Sequence, residues 1–90
     1  MKTYNNIYLI GIGGIGMSAL ARWYRHAGCR VSGYDRTPSS VTRALEEEGI
    51  PVHFEDNASL LPPSPEDTLV IYTPAVPAEM GELTYARSRG

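Results

Sequence analysis

Ninety residues, 42% hydrophobic and 20% charged, suffice for one small domain and exclude two. Eight Lys and Arg against ten Asp and Glu leave a net charge of -2, so no basic field exists to hold nucleic acid or an anionic membrane. The apolar runs are short and broken by glycine, far below the ~20 residues of a bilayer span, and the start has no signal-peptide pattern. A cytoplasmic location is therefore expected.

The first predicted element is the strand Ile7-Tyr8-Leu9-Ile10, an apolar run of the kind buried in a parallel sheet, which stops at a glycine cluster. After Gly16 the period changes. Leu20, Trp23, Tyr24 and Ala27 recur at helical spacing and predict the buried face of an amphipathic helix, with Ser18, Arg22, Arg25 and His26 opposite. Gly28 is placed to end that helix in a left-handed conformation. Cys29, the only cysteine, reads as a small buried residue at a strand start and has no disulfide partner in the chain.

A second strand, Arg30-Val31-Ser32-Gly33-Tyr34, leads to Asp35. Pro38 makes a turn, and Ser39 or Ser40 is an N-cap for a second helix with Val41, Ala44 and Leu45 on its apolar face. Glu46, Glu47 and Glu48 crowd its carboxyl end, where the helix dipole opposes them, which predicts an exposed and frayed turn before Gly49-Ile50-Pro51. Val52-His53-Phe54 is a short third strand. Residues 57–61 suit one helical turn before the stiff Pro62-Pro63-Ser64-Pro65 loop. Thr68-Leu69-Val70-Ile71-Tyr72 is the clearest buried strand, and residues 78–89 have helical composition.

This alternation predicts an α/β domain: a Rossmann-like parallel sheet of about four strands, in the order 3-2-1-4, with helices on both faces. A ligand then sits above the carboxyl ends of strands one and four.

Gly11-Ile12-Gly13-Gly14-Ile15-Gly16 carries the spacing G-x-G-x-x-G between a strand and a helix. Gly11 is expected to permit the turn, Gly13 to let the backbone approach a ligand, and Gly16 to let the helix pack closely on the strand. Free N–H groups at such a helix start bind a phosphate or diphosphate without a lysine. Asp35, 19 residues after Gly16, is either an acceptor for a ribose hydroxyl or base N–H, or a cap on the turn before Pro38. Arg36 and Thr37 follow it and are candidates for the same end of the ligand, Arg36 being equally readable as a solvated surface side chain. Thr73, Pro74, Ala75 and Val76 form a loop that either closes over the far phosphate or a sugar, or is a rigid turn. His26 and His53 lack ligand partners at metal spacing, so no metal site is expected. No P-loop, nucleophile elbow or paired catalytic carboxylates occur, so no catalytic residue is expected.

The stretch Ile10 to Ala21, followed by Val31-Ser32-Gly33-Tyr34-Asp35, closely resembles the start of the Mur ligases of peptidoglycan synthesis, best of all the alanine-adding branch. The likeness covers essentially the whole chain. It implies that residues 1–90 are the N-terminal domain for UDP-N-acetylmuramate, with a central ATPase domain and a C-terminal amino-acid domain lying beyond them. It also implies a whole enzyme that uses ATP and Mg2+ to join L-alanine to the lactyl carboxylate, this fragment having no cofactor and no activity alone. Gly11, Ile12, Gly13, Gly14, Ile15, Gly16, Met17 and Ser18 would then lie along the diphosphate. Asp35, Arg36 and Thr37 would lie near the uridine, and Thr73 to Val76 near the diphosphate or the muramoyl sugar. The alternatives are an NAD(P)-binding module of a redox or sensing protein, and the related ligase that recycles a tripeptide onto the same UDP-sugar. Reading the chain as a fragment also predicts that its fourth strand is an exposed edge, prone to pairing with a second copy.

Overall fold

A strand rich in Ile, Leu and Tyr on both of its faces has to lie inside a sheet and be covered from two sides. The computed structural model, which describes residues 4–55 and 67–72, places that strand centrally. β1 (Asn6–Ile10) pairs in parallel with β2 (Arg30–Tyr34), and β3 (Val52–His53) continues the sheet beyond β2. On its other side β1 pairs with β4 (Thr68–Tyr72), which gives the expected order β3-β2-β1-β4. Ile7, Tyr8, Leu9 and Ile10 are all buried.

Side chains alternate across a strand, so the two faces have different cores. Ile7, Leu9 and Val31 pack with Met17, Ala21, Leu45 and Ile50, which puts both α1 (Ile15–His26) and α2 (Ser40–Glu47) on one face. Tyr8 and Ile10 form the second core with Tyr34 and Val70. There the Tyr8 hydroxyl lies 2.8 Å from His53 Nε2, and the Tyr8 and Tyr34 rings both contact the His53 ring. The helical segments expected at 57–61 and 78–89 lie outside the described residues. β4 is the outer described strand on its side, but Thr68 and Tyr72 are not without partners, so the expected free edge has no support.

The buried face of α1 is not the one its largest apolar residues predict. Met17, Ser18 and Ala21 are buried, whereas Leu20 is 42% and Trp23 64% exposed. Ser18 can enter the core because its hydroxyl donates to the Ile15 carbonyl at 3.0 Å, leaving no polar atom unsatisfied. Trp23 instead packs edge-on against its neighbour Tyr24.

In α2, Ser39 is the N-cap: its Oγ accepts from the Thr42 N–H and Thr42 Oγ1 accepts from the Ser39 N–H, a reciprocal capping box. Thr42 is thereby drawn into the core beside Leu45. Both helices close in the same way. The amide of Cys29 donates to Tyr24 O and that of Ile50 to Leu45 O, across Gly28 and Gly49, whose φ values of 94° and 89° suit only glycine. The glutamate run is exposed as expected, but the end of α2 is closed rather than frayed. Besides the Gly49 motif, Arg22 Nε lies 3.0 Å from both carboxylate oxygens of Glu48, tying α1 to α2. Both partners are partly exposed, so this pair contributes at most about 1 kcal/mol.

Trp23→Gln is accordingly expected to change stability by no more than about 0.5 kcal/mol in urea unfolding, and iodide should quench Trp23 fluorescence in the folded protein. Leu45→Ala, at a fully buried position, should cost about 2–5 kcal/mol. A cost for Trp23→Gln comparable to that for Leu45→Ala would contradict the observed face of α1.

Candidate functional site

The site is built at the carboxyl ends of β1 and β2, where the glycine loop leaves the sheet. Gly11 and Ile12 both donate their amides to the Tyr34 carbonyl, at 2.8 and 2.9 Å, so the end of β2 draws the loop across the sheet edge. The Ile12 side chain is then fully buried against Gly33. A Cβ on Gly33 would lie 2.5 Å from Leu9 O and 2.7 Å from Ile12 Cδ1, so only glycine leaves room for Ile12 there.

The next two amides are also taken. Gly13 donates to Asp35 Oδ2 at 2.7 Å, a short bond to a charged acceptor of a class worth about 1.5–3 kcal/mol. Gly14 donates to Gly11 O at 3.2 Å and is the N-cap of α1, offering no side-chain acceptor to the helix. Ser18 N–H then bonds to Gly14 O, within the helix ladder. Among the described residues the amides of Ile15, Gly16 and Met17 have no hydrogen-bond partner, as expected of the first turn of a helix without a cap. No acidic residue lies in that turn, and the carboxylate of Asp35 is engaged one residue ahead of the N-cap, at Gly13.

The second and third glycines of the motif, Gly13 and Gly16, exchange the parts expected of them. A Cβ on Gly16 would meet nothing within 4 Å, so Gly16 is not needed for helix and strand to pack. A Cβ on Gly13 would lie 2.6 Å from Asp35 Oδ2 and 3.0 Å from Thr42 Cγ2, so the close approach at Gly13 is to the protein itself. Gly16 stands on the open side of the first turn, beside the three free amides.

Asp35 sits next to the loop as its spacing predicted, with both oxygens engaged: Oδ2 by Gly13 N–H and Oδ1 by Thr37 N–H at 3.0 Å. The second bond is the turn-capping contact that was one of its two readings. Arg36 and Thr37 are exposed beside it. Met17 is buried and offers the site only its amide, whereas Ser18 has its hydroxyl on Ile15 O and its N–H on Gly14 O and offers no free donor. Thr73, Pro74, Ala75 and Val76 lie outside the described residues. Thr42 and the Tyr34 carbonyl, which shape the loop, were not singled out from the sequence. The capping-box spacing of Ser39 and Thr42 is a local signal that would have found the first. Among the described residues no group of three or more His, Cys, Asp or Glu converges to hold a metal ion, and no helix is long and apolar enough to cross a membrane.

The chain is similar to known proteins in sequence and in fold. The family profile described as "Mur ligase family, catalytic domain" matches residues 6–90. The UDP-N-acetylmuramate-L-alanine ligase of Porphyromonas gingivalis is 56% identical over 87 residues, which are 93% of this chain and 19% of that protein. The ligase of the same name from Flavobacterium johnsoniae is 60% identical, over 94% of this chain and 19% of its own length. The solved UDP-N-acetylmuramate-alanine ligase of Thermotoga maritima superposes with a TM-score of 0.83 at 36% identity, covering 92% of this chain and 19% of that one. A murein peptide ligase from Psychrobacter arcticus gives 0.80 at 26% identity, covering 92% and 17%. The chain thus spans about 19% of the length of these curated relatives. On the matched profile, these identities and the shared sheet, the chain belongs to the Mur ligase family.

Proposed function

We propose that the chain holds UDP-N-acetylmuramate for the ATP-dependent ligation of L-alanine to its lactyl carboxylate, a step of peptidoglycan synthesis. The observation that carries this reading is the set of three unpartnered amides, Ile15, Gly16 and Met17, at the start of α1, which has no side-chain cap and no acidic residue in its first turn. Such a helix start suits a diphosphate, because main-chain donors and the dipole both favour negative charge there. In this reading the diphosphate rests on the first turn of α1. The uridine lies toward the turn at Asp35, Arg36 and Thr37, and Thr73 to Val76 face the diphosphate or the sugar from the β4 side. Gly11 to Gly14 set the shape of the loop.

Relatives 45–60% identical and named as alanine ligases support the alanine-adding reaction over tripeptide recycling. In that reaction ATP phosphorylates the lactyl carboxylate, and the L-alanine amine displaces phosphate from the acyl phosphate. The residues of this chain do not fit the ATP and Mg2+ part of that chemistry: the sequence has no P-loop, and the described residues have no cluster of metal-ligating side chains. We therefore assign residues 1–90 to substrate binding, and catalysis to the parts of the longer relatives that this chain does not span. A cytoplasmic location accompanies this reading, since the reaction draws on ATP and a nucleotide-linked sugar.

Two measurements test it. In amide NMR titrations UDP-N-acetylmuramate should move the Ile15, Gly16 and Met17 signals most and bind more tightly than NADH. Tighter NADH binding, or unmoved loop signals with the UDP-sugar, would sink the proposal in favour of an NAD(P)-binding module. Gly16→Ala should leave urea stability unchanged or raise it by up to about 1 kcal/mol, because its Cβ meets nothing. The added methyl should nonetheless weaken UDP-N-acetylmuramate about tenfold by calorimetric titration, a loss of about 1.4 kcal/mol.

A further inference from the structure

We infer that Gly14 is a specificity-determining position that works by lacking a side chain: a residue able to cap α1 there would take an amide that the diphosphate needs. The inference rests on the proposed diphosphate site and names the residue that keeps its donors free.

The glycine is not required by the backbone. Gly14 has φ -66° and ψ 153°, an extended conformation open to every L-residue, whereas Gly11 has a φ of 91°. Packing does not require it either. A Cβ on Gly14 would lie 3.6 Å from Gly11 O and 3.8 and 3.9 Å from Met17 Cγ and Cβ, ordinary contacts that displace nothing. A side chain beginning there, against Met17, is placed as an N-cap side chain is when its oxygen accepts the amide of the second or third helical residue, here Gly16 or Met17.

The other helix of the chain shows what such a side chain does. α2 also starts from an extended N-cap residue, and there Ser39 Oγ accepts the Thr42 amide at 3.2 Å. The amide of the third residue is thus used within α2, while the equivalent amide of α1, that of Met17, has no partner among the described residues. Asp35, the nearby carboxylate, is engaged with the amides of Gly13 and Thr37 and takes none of the three at the helix start. A hydroxyl at position 14 would repeat the Ser39 bond, stabilising the helix and withdrawing a donor from the ligand. A carboxylate would do the same and also set a negative charge against the phosphates.

The test compares the protein with Gly14→Ser, Gly14→Asp and Gly14→Ala, titrating inorganic pyrophosphate and UDP-N-acetylmuramate by calorimetry and following thermal unfolding and amide exchange without ligand. Alanine brings the same Cβ but no acceptor, so it separates bulk from capping. Gly14→Ser should melt at the same temperature or a few degrees higher and protect the Gly16 or Met17 amide from exchange. It should weaken both ligands by the same factor, about tenfold, the loss of one hydrogen bond to a charged acceptor. Gly14→Asp should weaken both further, and it carries the comparison if the serine variant does not fold. Gly14→Ala should bind both within about twofold of the unsubstituted protein. Affinity would then fall while stability holds or rises, whereas a merely structural glycine loses both together. A protected amide with undiminished affinity in Gly14→Ser would overturn the inference alone, provided that the unsubstituted protein binds. An amide left unprotected, or an equal loss of affinity in Gly14→Ala, would overturn it as well. An unsubstituted protein that bound neither ligand would remove the substrate reading and this inference with it.

Discussion

β1 is buried on both faces and paired along both edges, and the rest of the molecule is arranged to satisfy that one strand. A strand so placed needs neighbours for its backbone on two sides and an apolar cover above and below. β2 and β4 supply the pairing. Met17 and Ala21 of α1, with Leu45 of α2, cover the side that carries Ile7 and Leu9. Since β1 ends between two strands that run the same way, the loop that follows it is confined to the rim of the sheet. The Tyr34 carbonyl fastens it there within two residues.

The loop itself shows a division of labour among chemically identical groups. Seven consecutive main-chain amides run from Gly11 to Met17. The first four are spent on the protein and the last three are not. What separates them is the onset of the helix, since carbonyl partners four residues back first become available at Ser18. The glycines serve this pattern unequally. Gly33 and Gly13 make room for protein atoms, whereas the bareness of Gly16 faces open space.

Much of this was legible in the residues. The four strands, their order, the end of α1 at Gly28, the cap at Ser39 and the nearness of Asp35 to the loop all rest on local signals: apolar runs, glycine placement and spacing. The face of α1 was misjudged because Leu20 and Trp23 are larger apolar side chains than Ser18 and Ala21, yet they stand exposed while Tyr24 alone of the expected trio packs against the core. A small, self-satisfied serine nevertheless fits against a sheet better than an indole does. Of the close approach at Gly13, the side formed by Thr42 was not legible, since it depends on where α2 brings a residue 29 positions away in the chain. The closed end of α2 was hidden for a similar reason: the charge that answers Glu48 comes from another helix.

The contact between Tyr8 and His53 on the second face has a consequence for how the sheet finds its alignment. β3 has only two residues in the ladder, too few for backbone pairing alone to distinguish one alignment from the next. A slip by one position would turn every side chain of β3 to the other face. His53 would then leave the tyrosine hydroxyl and enter the aliphatic core beneath α2. The hydroxyl and imidazole, meeting across an intervening strand, act as a latch that only the correct pairing can close. The shortest strand is thus located by chemistry on its neighbour's neighbour.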